Sequence, residues 1–147
     1  MLARVFQSAC TFVALVVLSA VIAACGGSPT SPSNNVPFSQ TDLVVGTGAE
    51  AVTGSVLTVN YTGWLYNASQ RDQKGLQFSS SVGGTAFTFT LGAGEVISGW
   101  DQGVPGMKVG GLRRLVLPPS LGYGASRNGP IPPNTTLVFE VELLDVQ

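Results

Sequence analysis

Residues 56–66 read Val56-Leu57-Thr58-Val59-Asn60-Tyr61-Thr62-Gly63-Trp64-Leu65-Tyr66. Leu57, Val59 and Tyr61 fall on one face of an extended chain, and Val56, Thr58, Asn60 and Thr62 fall on the other. β-Branched and aromatic residues dominate the run, so it reads as a strand packed on a core through one face. Working outward, Asp42 to Val45 reads as a short first strand, with turn residues in Gly46-Thr47-Gly48. On the other side, Ala68 to Gly75 (ASQRDQKG) is polar and reads as a loop, and Leu76 to Ser80 as a short strand. Phe87, Phe89 and Leu91 alternate with Thr88 and Thr90. Leu115 and Leu117 alternate with Arg114 and Val116. Near the C-terminus Leu137, Phe139, Val141 and Leu143 alternate with Val138, Glu140, Glu142 and Leu144. Phe89, Leu115, Leu117 and Val141 are assigned to the core.

One stretch predicts a helix, Ile97 to Val104. It is short, and Gly99 and Gly103 within it cost about 1 kcal/mol each relative to Ala. Pro105 ends it. Ile97, Trp100 and Val104 share one face at helical spacing. The pattern is α+β: an antiparallel sheet with one apolar face covered by a single short helix.

Composition agrees with a turn-rich β protein, since the 147 residues include 19 Gly and 9 Pro and only 10% are charged. The formal net charge of −1 provides no basic field to hold nucleic acid. With no histidine in the chain, a Ser-His-Asp triad, a Cys-His dyad and a His-ligated metal are all excluded. The two cysteines, Cys10 and Cys25, lie ahead of the strands and support no disulfide framework or zinc site there.

The N-terminus reads as an address. Arg4 is the only charge before Asp42, and Thr11 to Ala24 (TFVALVVLSAVIAA) is an apolar run too short to span a bilayer comfortably. It ends Ile22-Ala23-Ala24-Cys25-Gly26, which resembles a bacterial lipobox: a branched apolar residue, two small residues, then Cys. Residues 1–24 are therefore expected to be a lipoprotein signal peptide, with Cys25 the lipidated residue of the mature chain. Residues 25–38 are read as lipidated Cys and flexible linker, because GGSPTSPSNNVP is small, polar and unable to bury a core. Extended, those residues reach about 35–40 Å. The domain, residues 39–147, is then expected to be exported and held to a bacterial membrane through Cys25, facing periplasm or cell surface.

Three segments stand out together. They are Val59-Asn60-Tyr61-Thr62-Gly63, the stretch Leu91-Gly92-Ala93-Gly94-Glu95-Val96-Ile97-Ser98-Gly99-Trp100-Asp101-Gln102-Gly103, and Leu121-Gly122-Tyr123-Gly124-Ala125 followed by Ile131-Pro132-Pro133-Asn134 and residues 136–144 (TLVFEVELL). In this order and spacing they resemble the FKBP family, peptidyl-prolyl cis/trans isomerases that also bind immunosuppressive macrolides. The resemblance covers essentially all of residues 42–147. It implies an antiparallel half-barrel wrapped around the short helix, and an isomerase that assists the folding of exported proteins. Xaa-Pro polypeptides and macrolides are the implied partners, with no cofactor, no metal and no nucleic acid; a monomer is expected.

The chemistry suits such residues. The barrier to prolyl-bond rotation, about 18–20 kcal/mol, comes from amide resonance, and twisting the bond requires neither a nucleophile nor a proton transfer. A dry aromatic slot with a few placed donors is enough. The resemblance assigns Trp100 as the floor under the prolyl ring, with Tyr61, Phe87, Val96, Ile97 and Phe139 as apolar walls. Phe78 matches the aromatic that opens the family's Phe-Asp-Ser-Ser stretch, and Tyr123 the tyrosine that bonds the ligand amide. The Ile97 N–H is the implied donor to a ligand carbonyl, and Ile131 sits on an overhanging loop. Tyr61, Phe78, Trp100, Tyr123 and Phe139 form the implied catalytic set; Phe87, Glu95, Val96, Ile97 and Ile131 the substrate-binding set.

The chain departs from the family pattern at Phe78-Ser79-Ser80-Ser81, where Ser79 stands in place of the family's Asp. The Arg that often follows is also missing from Val82-Gly83-Gly84-Thr85, so no pocket charge is left unpaired. These changes imply reduced turnover. They keep open a second reading, a binding or chaperone module of the same fold, beside a third, a purely structural lipoprotein. For the address itself, Cys25→Ser is expected to abolish lipidation and release the protein from membranes, since a stable anchor needs more than one weak signal. Membrane fractionation after a salt wash checks this, and a membrane-bound variant would overturn the lipobox reading.

Overall fold

The structure, a computed structural model, describes residues 36–147. The expected signal peptide, Cys25 and most of the expected linker lie outside the described residues. Six strands form one antiparallel sheet: β1 (Ser39–Val44), β2 (Val56–Tyr66), β3 (Lys74–Ser80), β4 (Phe87–Thr90), β5 (Leu112–Leu117) and β6 (Leu137–Val146), with one short helix, α1 (Ser98–Gly103), between β4 and β5. A single 3₁₀ turn, Pro119–Leu121, follows β5. The expected α+β half-barrel is the observed architecture.

The strand order is β1-β5-β6-β2-β3, with β4 also on β2. The organising strand is β2, as its sequence implied. One edge pairs along its length with β6, Leu57 opposite Val146 through Leu65 opposite Leu137. The other edge is shared: Val56 to Val59 pair with β4, and Thr62 to Tyr66 with β3. Tyr61 therefore lies where the two partners of β2 part, at the mouth of the curled sheet.

Several element bounds differ from expectation: α1 runs Ser98–Gly103 rather than Ile97 to Val104, β1 ends at Val44 rather than Val45, and two strands start early. The first strand starts at Ser39 rather than Asp42, because residues 39–42 pair with Arg113 to Val116 despite carrying polar side chains. The third starts at Lys74 rather than Leu76. Lys74 pairs with Tyr66, lies 4.3 Å over the Trp64 ring and holds Glu140 at 2.6 Å. A lysine stem lying along an aromatic face extends the strand into what reads as loop sequence.

The inward faces of β2, β5 and β6 alternate as expected: Leu57, Val59, Leu115, Leu117, Leu137, Val141 and Leu143 are all fully buried. The helix closes this core, and its two glycines are the reason it can. A Cβ at Gly99 would stand 2.5 Å from Leu117 Cδ2, and one at Gly103 2.6 Å from Leu115 Cδ2. Their missing side chains let α1 lie directly on β5, so the intrinsic cost of Gly in a helix is offset by close packing. Trp100, 4% exposed, and Val104, fully buried, then point into the core.

Arg113 ties the N-terminal strand to the end of the helix. Although 94% buried, it donates from Nη1 to the Gly103 and Pro105 carbonyls and from Nε and Nη2 to the Asp42 carboxylate. The hydrogen bond from Arg113 lowers the Asp42 pKa below 3.8, against a smaller opposing desolvation. A depressed carboxylate stabilises the fold above its unfolded pKa and loses that contribution as pH falls through the folded value. Asp42→Asn is therefore expected to cost about 1–2 kcal/mol at pH 7, because the charged partner of a buried Arg is lost while the carboxylate itself stays largely hydrated. The gap between variant and natural protein should narrow as pH falls below 3.8 and close only once pH passes the lowered folded value, where Asp42 is protonated in both states. Denaturant titrations at pH 7 and at successive steps downward from pH 4 check both statements.

Candidate functional site

A cavity of about 550 Å³ opens between the curled sheet, α1 and the loop before β6. Its floor is Trp100, which α1 presents because Gly99 and Gly103 seat the helix on β5. Around Trp100 stand four rings: Tyr61 at 5.3 Å and 80°, Phe139 at 5.4 Å and 88°, Phe89 at 5.6 Å and 62°, and Phe87 at 6.1 Å and 83°. These near-perpendicular contacts set ring edges against ring faces, the arrangement aromatic quadrupoles favour. Phe78 continues the wall edge-on to Phe139 at 5.6 Å. It has room because position 63 is glycine: a Cβ there would lie 2.7 Å from Phe78 Cζ and 2.8 Å from Phe139 Cε1.

The ten residues singled out from the sequence all line this one cavity: Tyr61, Phe78, Phe87, Glu95, Val96, Ile97, Trp100, Tyr123, Ile131 and Phe139. They come from β2, β3, β4, α1, β6 and the connecting loops, and the fold brings them together. Phe89, assigned to the core, backs Trp100 from below and stays outside the lining.

Ser79, Asn128 and Pro130 also line the cavity and were not among those ten. Strict strand alternation sends Phe78 and Ser79 to opposite faces. The register of β2 with β3 shifts between Gly63, opposite Ser79, and Trp64, opposite Gln77. That bulge leaves Phe78 unpaired and turns both residues inward. There Ser79 Oγ meets the Tyr61 hydroxyl at 3.0 Å. Asn128 and Pro130 arrive through a tight turn closed by reciprocal backbone bonds between Asn128 and Ile131. The Asn-Gly-Pro sequence of that turn is a signal that could have found them.

The polar groups are few and placed. Tyr123, just after the 3₁₀ turn, has its loop pinned by backbone bonds from Gly124 N–H to Pro119 and from Asn134 N–H to Gly124. Burial first, and the neighbouring Tyr61 second, raise the Tyr123 pKa above 10.0, so its hydroxyl stays a neutral donor through physiological pH. Glu95 lines the cavity, but its Oε2 accepts the Thr90 N–H at 2.8 Å, turned back toward its own loop. A residue the sequence reading passed over holds that loop in place. Asp101 on α1 accepts the N–H groups of Gly92 and Gly94 at 2.9 and 3.2 Å, fixing the segment that carries Glu95, Val96 and Ile97 to the helix. No cluster of His, Cys, Asp or Glu suited to a metal occurs among the described residues.

An antiparallel half-barrel closed by a short helix, with an indole floor and aromatic walls, presents a slot fitted to a compact apolar ring. Residues 48–144 match the model of the FKBP-type peptidyl-prolyl cis-trans isomerase domain, and the chain belongs to that family. It is 52% identical over 107 residues to an FK506-binding protein of Neisseria meningitidis serogroup B, covering 71% of this chain and 92% of that one. It is 50% identical over 107 residues to the 46 kDa FK506-binding nuclear protein of Spodoptera frugiperda, covering 72% of this chain but 24% of the relative. Among solved structures it is similar to AtFKBP13, with a TM-score of 0.64, 38% identity and coverage of 75% and 93% of the two chains. The FkpA structure from Escherichia coli is similar at a TM-score of 0.62 and 39% identity, over 75% of this chain and 48% of that one.

Trp100 serves both core and cavity. Trp100→Ala is expected to lower stability by about 3–5 kcal/mol and to abolish binding of a prolyl peptide. Because Trp64 also emits, the fluorescence of a Trp64→Phe protein should report Trp100 alone and change on peptide addition. A saturating peptide that leaves that emission unchanged would place the ligand elsewhere.

Proposed function

We propose that this protein catalyses cis/trans isomerisation of Xaa-Pro bonds in exported polypeptides, from a lipid anchor at Cys25. The observation that carries this reading is the convergence of ten side chains from separate elements on one aromatic cavity. The prolyl ring lies on Trp100, and the planar imide enters a slot walled by Tyr61, Phe78, Phe87 and Phe139. Rotation through the twisted state removes resonance and charge separation from the amide, so an environment poor in water favours the twisted form over the planar one. The Ile97 N–H holds a substrate carbonyl. The Tyr123 hydroxyl, kept protonated by its surroundings, donates to the amide as it turns. No step transfers a proton to substrate or forms a covalent bond. Macrolides that mimic a twisted prolyl amide fit the same slot, and the protein acts as a monomer.

Ser79 supplies a hydroxyl where the family pattern has a carboxylate, and it keeps a bond to Tyr61 at 3.0 Å. Wall geometry is thus retained while the fixed charge is lost, which sets turnover below that of members carrying Asp. The same observation favours a second reading, a module that holds Pro-containing segments with little turnover.

Exchange NMR on an Ala-Xaa-Pro-Phe peptide separates the two. Catalysed exchange is expected from the natural protein, and Tyr123→Phe should reduce kcat/KM about 3- to 10-fold, the worth of one neutral hydrogen bond, with the larger part in kcat. Binding without any catalysed exchange would establish the holding module instead.

A further inference from the structure

The geometry points to Tyr61 and Ser79 as a pair that selects ligands by their hydrogen-bonding group, an inference that rests on the prolyl-ligand reading of the cavity. Their oxygens are 3.0 Å apart, and either can be the donor. Each hydroxyl carries one proton and two lone pairs. One of the two protons occupies the mutual bond; the other remains to donate into the cavity. Because the bond can reverse, the free proton can sit on either oxygen. The wall therefore offers a donor and an acceptor together, without charge.

The other donors of the lining, the Ile97 N–H and the Tyr123 hydroxyl, are given to the substrate carbonyl and the imide in the proposed binding mode, and Asn128 lines the cavity without charge. Glu95 is the only carboxylate in the lining, and it is committed to the Thr90 N–H. A carboxylate at position 79 would have the opposite character. It would take the Tyr61 proton into its own bond and present only lone pairs and negative charge to the ligand. This chain consequently suits prolyl compounds with an uncharged acceptor beside the ring, a ketone or ester carbonyl, and also accommodates a hydroxyl there. An acceptor-only wall would accept the hydroxyl and reject the carbonyl.

The test uses the full chain and three N-acylproline amides of one shape, which differ only at the acyl α-carbon: ketone, secondary alcohol or methylene. Calorimetric titration of the natural protein should find ketone and alcohol within about threefold of each other, and both about 3- to 10-fold tighter than the methylene compound. Ser79→Asp should lose the preference for ketone over methylene and keep that for the alcohol. Ser79→Asn, nearly isosteric with Asp but uncharged and still able to donate, should retain the ketone preference, and this comparison removes size as the cause. Replacing both hydroxyls, Tyr61→Phe with Ser79→Ala, should bring the three compounds within about twofold. Thermal melts accompany each variant, and the natural protein's own three affinities carry the test if one variant unfolds.

A natural protein that binds ketone and methylene equally, or a Ser79→Asp variant that keeps the ketone preference, overturns the inference. If that happens while Xaa-Pro exchange is still catalysed, the isomerase reading stands without it. If none of the three compounds binds the natural protein, the prolyl reading of the cavity falls, and this inference with it.

Discussion

The seating of one short helix on one strand is the constraint from which the site follows. Gly99 and Gly103 face Leu117 and Leu115 at distances that leave no space for a Cβ. That contact brings α1 down onto β5 and sends Trp100 into the opening of the curled sheet. Lift the helix by the width of a methyl group and the indole no longer meets Tyr61 and Phe139 edge to face. Arg113 secures the same helix from its far end through the Gly103 and Pro105 carbonyls, and Asp101 fixes the preceding loop to it. A helix too short to be stable alone is thus held by packing and by bonds from two other segments, β5 and the loop of Gly92 and Gly94.

The cavity built on that floor has a simple electrostatic character. Six of its thirteen lining residues are aromatic, Val96, Ile97, Pro130 and Ile131 add apolar surface, and Glu95, the one carboxylate in the lining, is turned back to the Thr90 N–H. Under the proposed function such a site suits a reaction whose barrier is resonance, since a prolyl substrate would need only removal from water and a few directional contacts as its amide twists. The Ser79–Tyr61 pair, with oxygens 3.0 Å apart, adds an uncharged polar edge to that wall.

The opposite face of the sheet shows how the same strands remain compatible with solvent. Glu140 lies between Lys74 at 2.6 Å and Arg114 at 3.4 Å, and Lys74 also covers Trp64. Val138 and Val116, opposite each other in β6 and β5, are buried on that side although alternation assigns them outward. The Lys74 stem over Trp64, with the ion pairs of Glu140, gives the sheet a partly covered second face.

Much of this was legible in the chain itself. The alternation in β2 and β6 and the lone helical stretch ended by Pro105 pointed to an α+β antiparallel sheet with one covering helix, the family resemblance implied the half-barrel, and the absence of histidine ruled out nucleophilic and metal chemistry built on that residue. The ordered motifs around Tyr61, Trp100 and Tyr123 identified the residues that line the cavity. Periodicity reports which face a side chain takes in a regular element, which is why Leu57, Val59, Leu115 and Leu117 could be assigned inward, whereas loop residues such as Tyr123 and Ile131 were legible only through the family resemblance. Tertiary structure decided the rest, wherever a contact depends on a partner distant in the chain. The glycines of α1 read as a local cost until β5 lies against them. The bulge opposite Gly63 puts Ser79 beside Phe78, against strict alternation. Polar residues 39–42 become a strand only because β5 offers them an edge, and Asp101 becomes a loop clamp only once Gly92 and Gly94 fold back over the helix. Each depends on long-range register and close approach, which no local propensity encodes.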